Sequence, residues 1–260
     1  MAGGAPGIRI VSPGVVDMKT RRLFITGTDT EVGKTHFTVW LIGQLRSAGL
    51  TVGAYKPACS GAIAGSEGGS EKKLRWEDPD LLAAALGGAW PLERIAPQCF
   101  LEPLAPPAAA KLEGREVDER LLVSGAEWWD GQVDVLLIEG AGGWYSPLST
   151  NWTNADLAAR LHAPVVLVAG DRLGVINHSL LTIEAIRRTS PLAGIVLNEL
   201  SPRRTSQGFD LTGSNVSEIE RRSGGPVWGV LSYGAGPELW LQGQCVSAER
   251  LKSLILDAAA

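Results

Sequence analysis

The sequence predicts an α/β fold: a doubly wound, mostly parallel sheet with helices on both faces. Three observations carry this reading. Apolar runs recur at residues 23–25, 51–55, 133–138, 165–169, 195–197 and 227–231. They are near-continuous rather than alternating, as in strands buried on both faces of a parallel sheet. The segments between them have helical periodicity, and such alternation with crossover lengths gives parallel neighbours. Polar and glycine-rich residues then follow the runs, at the carboxyl edge where open α/β sheets bind ligands.

The first run enters Gly27-Thr28-Asp29-Thr30-Glu31-Val32-Gly33-Lys34-Thr35, and His36-Phe37-Thr38-Val39-Trp40-Leu41-Ile42 reads as a helix start. A strand, a turn ending Gly-Lys-Thr and a helix make a phosphate-binding loop of the P-loop NTPase type. Backbone N–H groups and the helix dipole favour an anion there. Lys34 is placed to reach terminal phosphates and the Thr35 hydroxyl to hold magnesium. The common spacing puts the first glycine at position 28, but the residue there is Thr28. The loop is thus one residue longer than usual and contains Asp29 and Glu31. Acids do not help anion binding, so they suggest a second duty toward a cationic group.

The second run leads to Lys56-Pro57-Ala58-Cys59-Ser60-Gly61. Lys56 could neutralise charge on a transferring group, or be an ordinary surface lysine. Asp78-Pro79-Asp80 precedes an apolar helical stretch. Asp78 reads as an N-cap, with a metal ligand as the sharper alternative. Asp118 is a plausible N-cap for a helix over 118–129, with Leu121, Leu122 and Ala126 on one side. The third run ends in Glu139-Gly140-Ala141-Gly142-Gly143-Trp144. A carboxylate beside a phosphate loop suits magnesium, and glycines let the backbone approach a phosphate.

Helices are expected over 154–161 and 177–188. Asn177 could cap the second of these, or its open N-terminus could hold a carboxylate. Asn198-Glu199 follow the fifth run and Ser232-Tyr233-Gly234 the sixth. A closing helix is expected over 247–259. Residues 61–77 and 201–225 are rich in Gly, Ser and charge and read as surface loops.

With 260 residues, the chain can form one large α/β domain. We expect that domain over 21–260 and a disordered extension over 1–20, with Met18 a possible true start. Lys and Arg number 24 against 28 Asp and Glu, a net charge of −4, which gives no footprint for nucleic acid. No apolar run approaches the ~18 residues needed to cross a membrane. Cys59, Cys99 and Cys245 show no C-x-x-C spacing, so neither a zinc site nor a redox motif is indicated. Cys59 reads as a small packed residue, and a reducing cytoplasm is the simplest location.

Four motifs in order, Gly27–Thr35, Tyr55–Gly61, Glu139–Trp144 and Leu173-Gly174-Val175-Ile176-Asn177-His178, resemble those of dethiobiotin synthetases. The likeness also includes Lys111-Leu112-Glu113-Gly114-Arg115. It implies an ATP- and magnesium-dependent closure of a cyclic urea on 7,8-diaminopelargonate with carbon dioxide, through a carbamate and a carbamic–phosphoric anhydride. It makes Lys34 and Lys56 catalytic. ATP would be held by Glu31 to His36, Gly140, Ala141, Gly142, Asn198, Glu199 and the segment Ser232-Tyr233-Gly234. Thr35, Glu139 and an aspartate would bind magnesium. The family has apolar residues after that aspartate, which selects Asp80, before Leu81-Leu82, over Asp78. Thr30, Glu31 and Ser60 would contact the diamine. Gly174, Val175 and Asn177 would hold its carboxylate from the second subunit of a homodimer. Ser232-Tyr233-Gly234 departs from the Pro-Trp-Leu frequent in the family, which bears on nucleotide preference.

Two other classes fit less well. An ATP-dependent ligase of the cobalamin pathway would continue into a glutaminase domain, for which the tail from Gln244 has no room. A partition-type ATPase switch would carry a lysine at Asp29 and a basic or amphipathic tail, and the closing helix has no basic face.

Overall fold

The computed structural model of the protein describes residues 20–64, 74–202, 205–206, 209–234 and 236–258. The expected N-terminal extension lies outside these residues except for Thr20. Strand β1 (Arg21–Gly27) runs through the phosphate loop into α1 (Lys34–Ser47). Next come β2 (Val52–Tyr55) and the short strands β3 (Cys59–Ser60), β4 (Ile63–Ala64) and β5 (Leu74–Arg75). They lead to α2 (Glu77–Ala85), α3 (Leu92–Ile95), β6 (Cys99–Phe100), α4 (Pro106–Leu112) and α5 (Glu119–Glu127). The central part holds β7 (Val135–Gly143), α6 (Asn154–Arg160), β8 (Val165–Gly170), α7 (Val175–Arg187) and β9 (Leu192–Asn198). The chain finishes with β10 (Thr205–Ser206), β11 (Phe209–Asp210), α8 (Leu211–Ser223), β12 (Val227–Leu231), β13 (Leu239–Leu241), β14 (Gln244–Cys245) and α9 (Ala248–Ala258).

The main sheet has the order β14-β13-β12-β9-β8-β1-β7-β2. The six expected strands, β2 to β12 in that order, pair in parallel, and β13 and β14 add an antiparallel edge. Every residue of β2, β8 and β12 is buried, as strands covered on both faces require. Helix α1 buries Phe37, Thr38, Leu41, Ile42 and Leu45, a stripe at three- and four-residue spacing, and lies against β1, β7 and β2. Beside it α9 buries Leu251 and Ile255. Helix α7 packs on β8 and β9 with α8 alongside. From β1 the chain first builds β2 and β7 on one side, then β8, β9 and β12 on the other. That places the topological switch, and the ligand crevice, at the end of β1.

Some expectations change. The third run continues through Gly143, so Glu139 stands inside β7 rather than at its end. The 201–225 stretch, expected to be irregular, contains the 13-residue helix α8. Asp210 caps it by accepting from the Gly213 N–H at 3.1 Å. Its buried side is only Thr212 and Ile219, and the polar remainder reads as loop composition. The 61–77 stretch contributes the β4–β5 pair. Asp118 does cap α5, accepting from the N–H groups of Arg120 and Leu121.

Close packing between β9 and β12 rests on Gly194. A Cβ there would lie 2.3 Å from Cε2 of buried Trp228. Gly194→Ala should therefore cost about 1–3 kcal/mol through overpacking. Urea unfolding reads this directly, and an unchanged midpoint would refute the tight β9–β12 contact.

Candidate active site

The sheet topology brings the four motifs to one edge. In the phosphate loop Gly33 has φ 89°, the left-handed geometry that orients the N-terminus of α1, and Glu31 adopts φ 59°. Glu31 is a non-glycine residue in a region such residues avoid, which holds its exposed side chain out at the loop tip. The Lys34 ammonium curls back to donate to the Asp29 carbonyl at 3.0 Å. The backbone N–H of Thr30 donates to Asp29 Oδ1 at 2.8 Å. The loop thus keeps its shape by internal bonds.

Lys56, at the exit of β2, is 3% exposed and Glu139 is fully buried. Lys56 Nζ donates to Glu139 Oε1 and to Asp78 Oδ2, both at 2.6 Å. Thr35 Oγ1 lies 2.7 Å from Glu139 Oε1 and 2.8 Å from Asp78 Oδ1, and its one proton serves one of them at a time. Thr38 Oγ1 donates to Glu139 Oε2 at 2.7 Å. Burial works against the Lys56 charge, but Glu139 and then Asp78 outweigh it and hold the ammonium above its ordinary range. Burial likewise opposes the charge on Asp78, yet Lys56 and the hydrogen bonds from Lys56 and Thr35 keep its carboxyl below its ordinary value. For Lys34 the balance tips the other way. Burial, and then the neighbouring Lys56, bring it down to about 8.

The carboxylate that joins this cluster is Asp78, which corrects the expectation of Asp80. The physical reason is the start of α2. The helix begins at Glu77 after Trp76, so Asp78 and Pro79 are already inside its first turn. Asp78 is therefore not the N-cap; it points across to Thr35 and Lys56. Asp80 lies further along the same turn and, among the described residues, makes no hydrogen bond or ion pair with Thr35, Lys56 or Glu139. The apolar residues behind Asp80 misled the sequence reading, and nothing local in the sequence marks which acid turns inward.

Asn198 supplies a second link. Its amide Nδ2 donates to the Val32 carbonyl at 3.1 Å, tying the end of β9 to the loop, while its Oδ1 is buried with no partner among the described residues. Glu199 Oε2 accepts the Tyr233 N–H at 3.2 Å, and Ser232 Oγ accepts the Glu238 N–H at 2.9 Å. So Asn198, Glu199, Ser232 and Tyr233 gather at the ends of β9 and β12, beside Gly234. Asn154, expected only as the start of a helix, donates to the Ala141 and Gly143 carbonyls at 2.7 Å and fixes the end of β7 from Gly140 to Gly143. It is fully buried, but an asparagine at a helix start carries no sequence mark of this role. Ser60 Oγ donates to the Leu104 carbonyl at 2.6 Å. Thr30 and His36 are exposed near the loop.

Gly174, Val175 and Asn177 stand apart from the Lys56 cluster. They line a cavity of about 580 Å³ between the start of α7 and α8, with Arg172, Ser214 and Asn215. Gly174, at φ 94°, is the N-cap of α7, so Asn177 sits in the first turn and does not cap it. Arg172 reaches the phosphate loop through a 3.0 Å ion pair with Asp29. A second cavity, of about 730 Å³, opens on the other side between Thr28, Asp29, Gly143, Tyr145 and Leu181.

A phosphate loop at the switch point of a parallel sheet, with a lysine and carboxylates converging on its threonine, defines a nucleotide-binding protein of the P-loop class. A family model described as an AAA domain matches residues 21–236. The ATP-dependent dethiobiotin synthetase BioD of Anaeromyxobacter dehalogenans (strain 2CP-C) is 46% identical over 203 residues, covering 78% of this chain and 86% of that protein. The enzyme of the same name from Rhodopirellula baltica is 38% identical over 226 residues, covering 82% and 85%. ATP-dependent dethiobiotin synthetase BioD 1 of Salmonella typhi is 34% identical over 235 residues, covering 90% and 99%. The chain belongs to the dethiobiotin synthetase family.

Asp78→Asn should cut kcat/KM by about a hundredfold, the scale of losing one charged group aimed at the reacting centre. Asp80→Asn should stay within about twofold of the parent, like a surface change. Steady-state kinetics of the two variants decides between them, and the reverse ranking would restore Asp80.

Proposed function

We propose that this protein is an ATP-dependent ligase that closes the ureido ring of dethiobiotin on 7,8-diaminopelargonate. The observation that carries the reading is the Lys34, Lys56, Thr35, Asp78 and Glu139 cluster at the phosphate loop, in a chain up to 46% identical to the named synthetases. One substrate amine takes up carbon dioxide as a carbamate. A carbamate oxygen attacks the γ-phosphorus and ADP leaves. The second amine then attacks the carbamoyl carbon, phosphate departs and the ring is closed.

The protein's share is positioning and charge. The loop N–H groups and Lys34 hold the phosphates. Lys56 stabilises the carbamate and the moving phosphoryl group. Glu31 at the loop tip, with Thr30 and Ser60, faces the diamine and meets its positive charge. Asn198, whose Oδ1 has no partner among the described residues, faces the base together with Glu199 and the segment from Ser232 to Gly234.

Thr35, Asp78 and Glu139 offer one hydroxyl and two carboxylates, a hard-oxygen set that fits magnesium. When bound, the metal supplies charge neutralisation at the phosphate oxygens. Removal of Lys56 leaves buried Glu139 unpaired, a loss on the order of 3–5 kcal/mol.

We further infer a homodimer. Leu173 is 95% exposed, and Leu181 and Tyr145 are more than half exposed. Leu173 adjoins the turn that carries Gly174, Val175 and Asn177, while Leu181 and Tyr145 line the second cavity, and a second copy would cover them while offering that turn to its neighbour's substrate. Free Cys59, Cys99 and Cys245 suit a reducing cytoplasm. Among the described residues no helix is long and apolar enough to cross a membrane.

Incubation with 7,8-diaminopelargonate, bicarbonate, ATP and magnesium should yield dethiobiotin by mass spectrometry, and ATP turnover indifferent to the diamine would sink the reading. In the Lys56→Ala chain, product should vanish and the melting temperature should rise with added magnesium, as a cation replaces the lost ammonium. No such rise would remove the metal assignment. Leu173→Asp should shift the mass in light scattering from dimer to monomer and lower activity. A fully active monomer would overturn the shared site.

A further inference from the structure

Cys59 and Cys99 are forty positions apart and fit no redox spacing, yet the fold sets them side by side. Strands β3 and β6 pair in parallel with Cys59 opposite Cys99. Neighbouring strands run about 4.8 Å apart, and register partners project from the same side of the ladder. A disulfide spans Cα separations of roughly 4.4–6.8 Å, which this spacing meets, but it needs the Cβ atoms about 3.5–4.5 Å apart, closer than the ladder spacing, so bridging the pair draws β3 and β6 together.

The two thiols also differ in character. Cys59 is buried, and the Cys99 thiol together with burial pushes it up. Cys99 is half-buried, its Sγ donates to the Ala96 carbonyl at 3.6 Å, and it is held below its ordinary range first by the Cys59 side chain and then by the Arg115 guanidinium. The charged groups facing the pair are Lys56 and Asp78 on the Cys59 side, and Arg115, Asp80 and Lys56 on the Cys99 side. A half-buried thiol with a lowered pKa beside a buried thiol is the arrangement of an attacking and a resolving cysteine.

The place in the fold gives the pair leverage. Backbone bonds zip the segment after β2 to the one around β6: Lys56 N–H to Ile95 O at 2.6 Å, Cys59 N–H to Gln98 O at 2.8 Å and Ala62 N–H to Leu101 O at 2.7 Å. Lys56 lies three residues before Cys59, and Ser60 follows it directly. We propose that Cys59 and Cys99 are a reversible dithiol–disulfide modification site, oxidised by peroxide, that lowers activity by displacing Lys56 and Ser60.

The Cys99 thiolate attacks one peroxide oxygen, the O–O bond breaks, and one water leaves once its oxygen is protonated. Cys99 is then a sulfenic acid. The Cys59 sulfur attacks the Cys99 sulfur, the S–S bond forms, the S–O bond breaks, and the hydroxyl departs with the Cys59 proton as a second water. Two thiols and one hydrogen peroxide give one disulfide and two waters, and a small dithiol reverses the change.

The experiment uses the full chain carrying Cys245→Ser, which removes links between molecules. It is treated with excess hydrogen peroxide, alkylated, digested without reductant and weighed by mass spectrometry. The expected result is a Cys59–Cys99 linked peptide, two hydrogens lighter than its parts and split by dithiothreitol. Dethiobiotin formation should fall about tenfold or more, since displacements of about 1 Å at a site can cost a hundredfold, and dithiothreitol should restore it. Cys99→Ala, with Cys99→Ser as a second variant, should keep its activity in peroxide. A Cys99 oxidised further with Cys59 still a free thiol overturns the pairing. A link that leaves the rate unchanged overturns the effect on Lys56 and Ser60. The activity arm rests on the dethiobiotin-forming reading, whereas the mass of the linked peptide does not, so failure of one is distinguishable from failure of the other.

Discussion

The buried ammonium of Lys56 between Glu139 and Asp78 is the constraint around which the site is arranged. A charge at this depth is tolerated only when it is paired and its hydrogen-bonding capacity is met. Meeting it draws on four elements at once: the exit of β2, the interior of β7, the first turn of α1 and the first turn of α2. The pairing therefore fixes the relative positions of the phosphate loop and the carboxylates before any ligand arrives.

The two lysines divide the labour because their surroundings differ. Lys56 is held charged by two carboxylates, while for Lys34 burial and the neighbouring ammonium outweigh the pull of the same carboxylates. An anion bound in the loop supplies what Lys34 lacks. Its internal bond to the Asp29 carbonyl is a holding position rather than a final partner. The Arg172–Asp29 ion pair extends the same economy to the far side of the loop and ties the α7 turn to it. Both its side chains are about half exposed, so it orients the loop more than it stabilises the fold.

Much was legible in the sequence because it depends on local chemistry. Buried parallel strands must be apolar throughout, so all six were visible as runs. The long loop and Lys56 could be found because each stands where a buried strand gives way to polar residues, and Glu139 because a carboxylate interrupts an apolar run. Helix α8 was not legible because it is strongly polar and buries only Thr212 and Ile219, so its Gly, Ser and charged residues read as a loop. The role of Asn154 was missed because its partners are main-chain carbonyls of β7, which no side-chain pattern encodes.

The sequence by itself determined the fold class, the phosphate loop, its extra residue and two acids, and the order of the motifs, since these follow from composition and spacing along the chain. Only the tertiary structure decided that Asp78 rather than Asp80 meets Thr35 and Lys56, because helical phase about α2 selects which acid faces inward. It alone placed Gly174 and Asn177 apart from the Lys56 cluster and set Cys59 against Cys99. These are relations between elements distant in the chain, and their geometry follows from packing the whole sheet rather than from any segment of it.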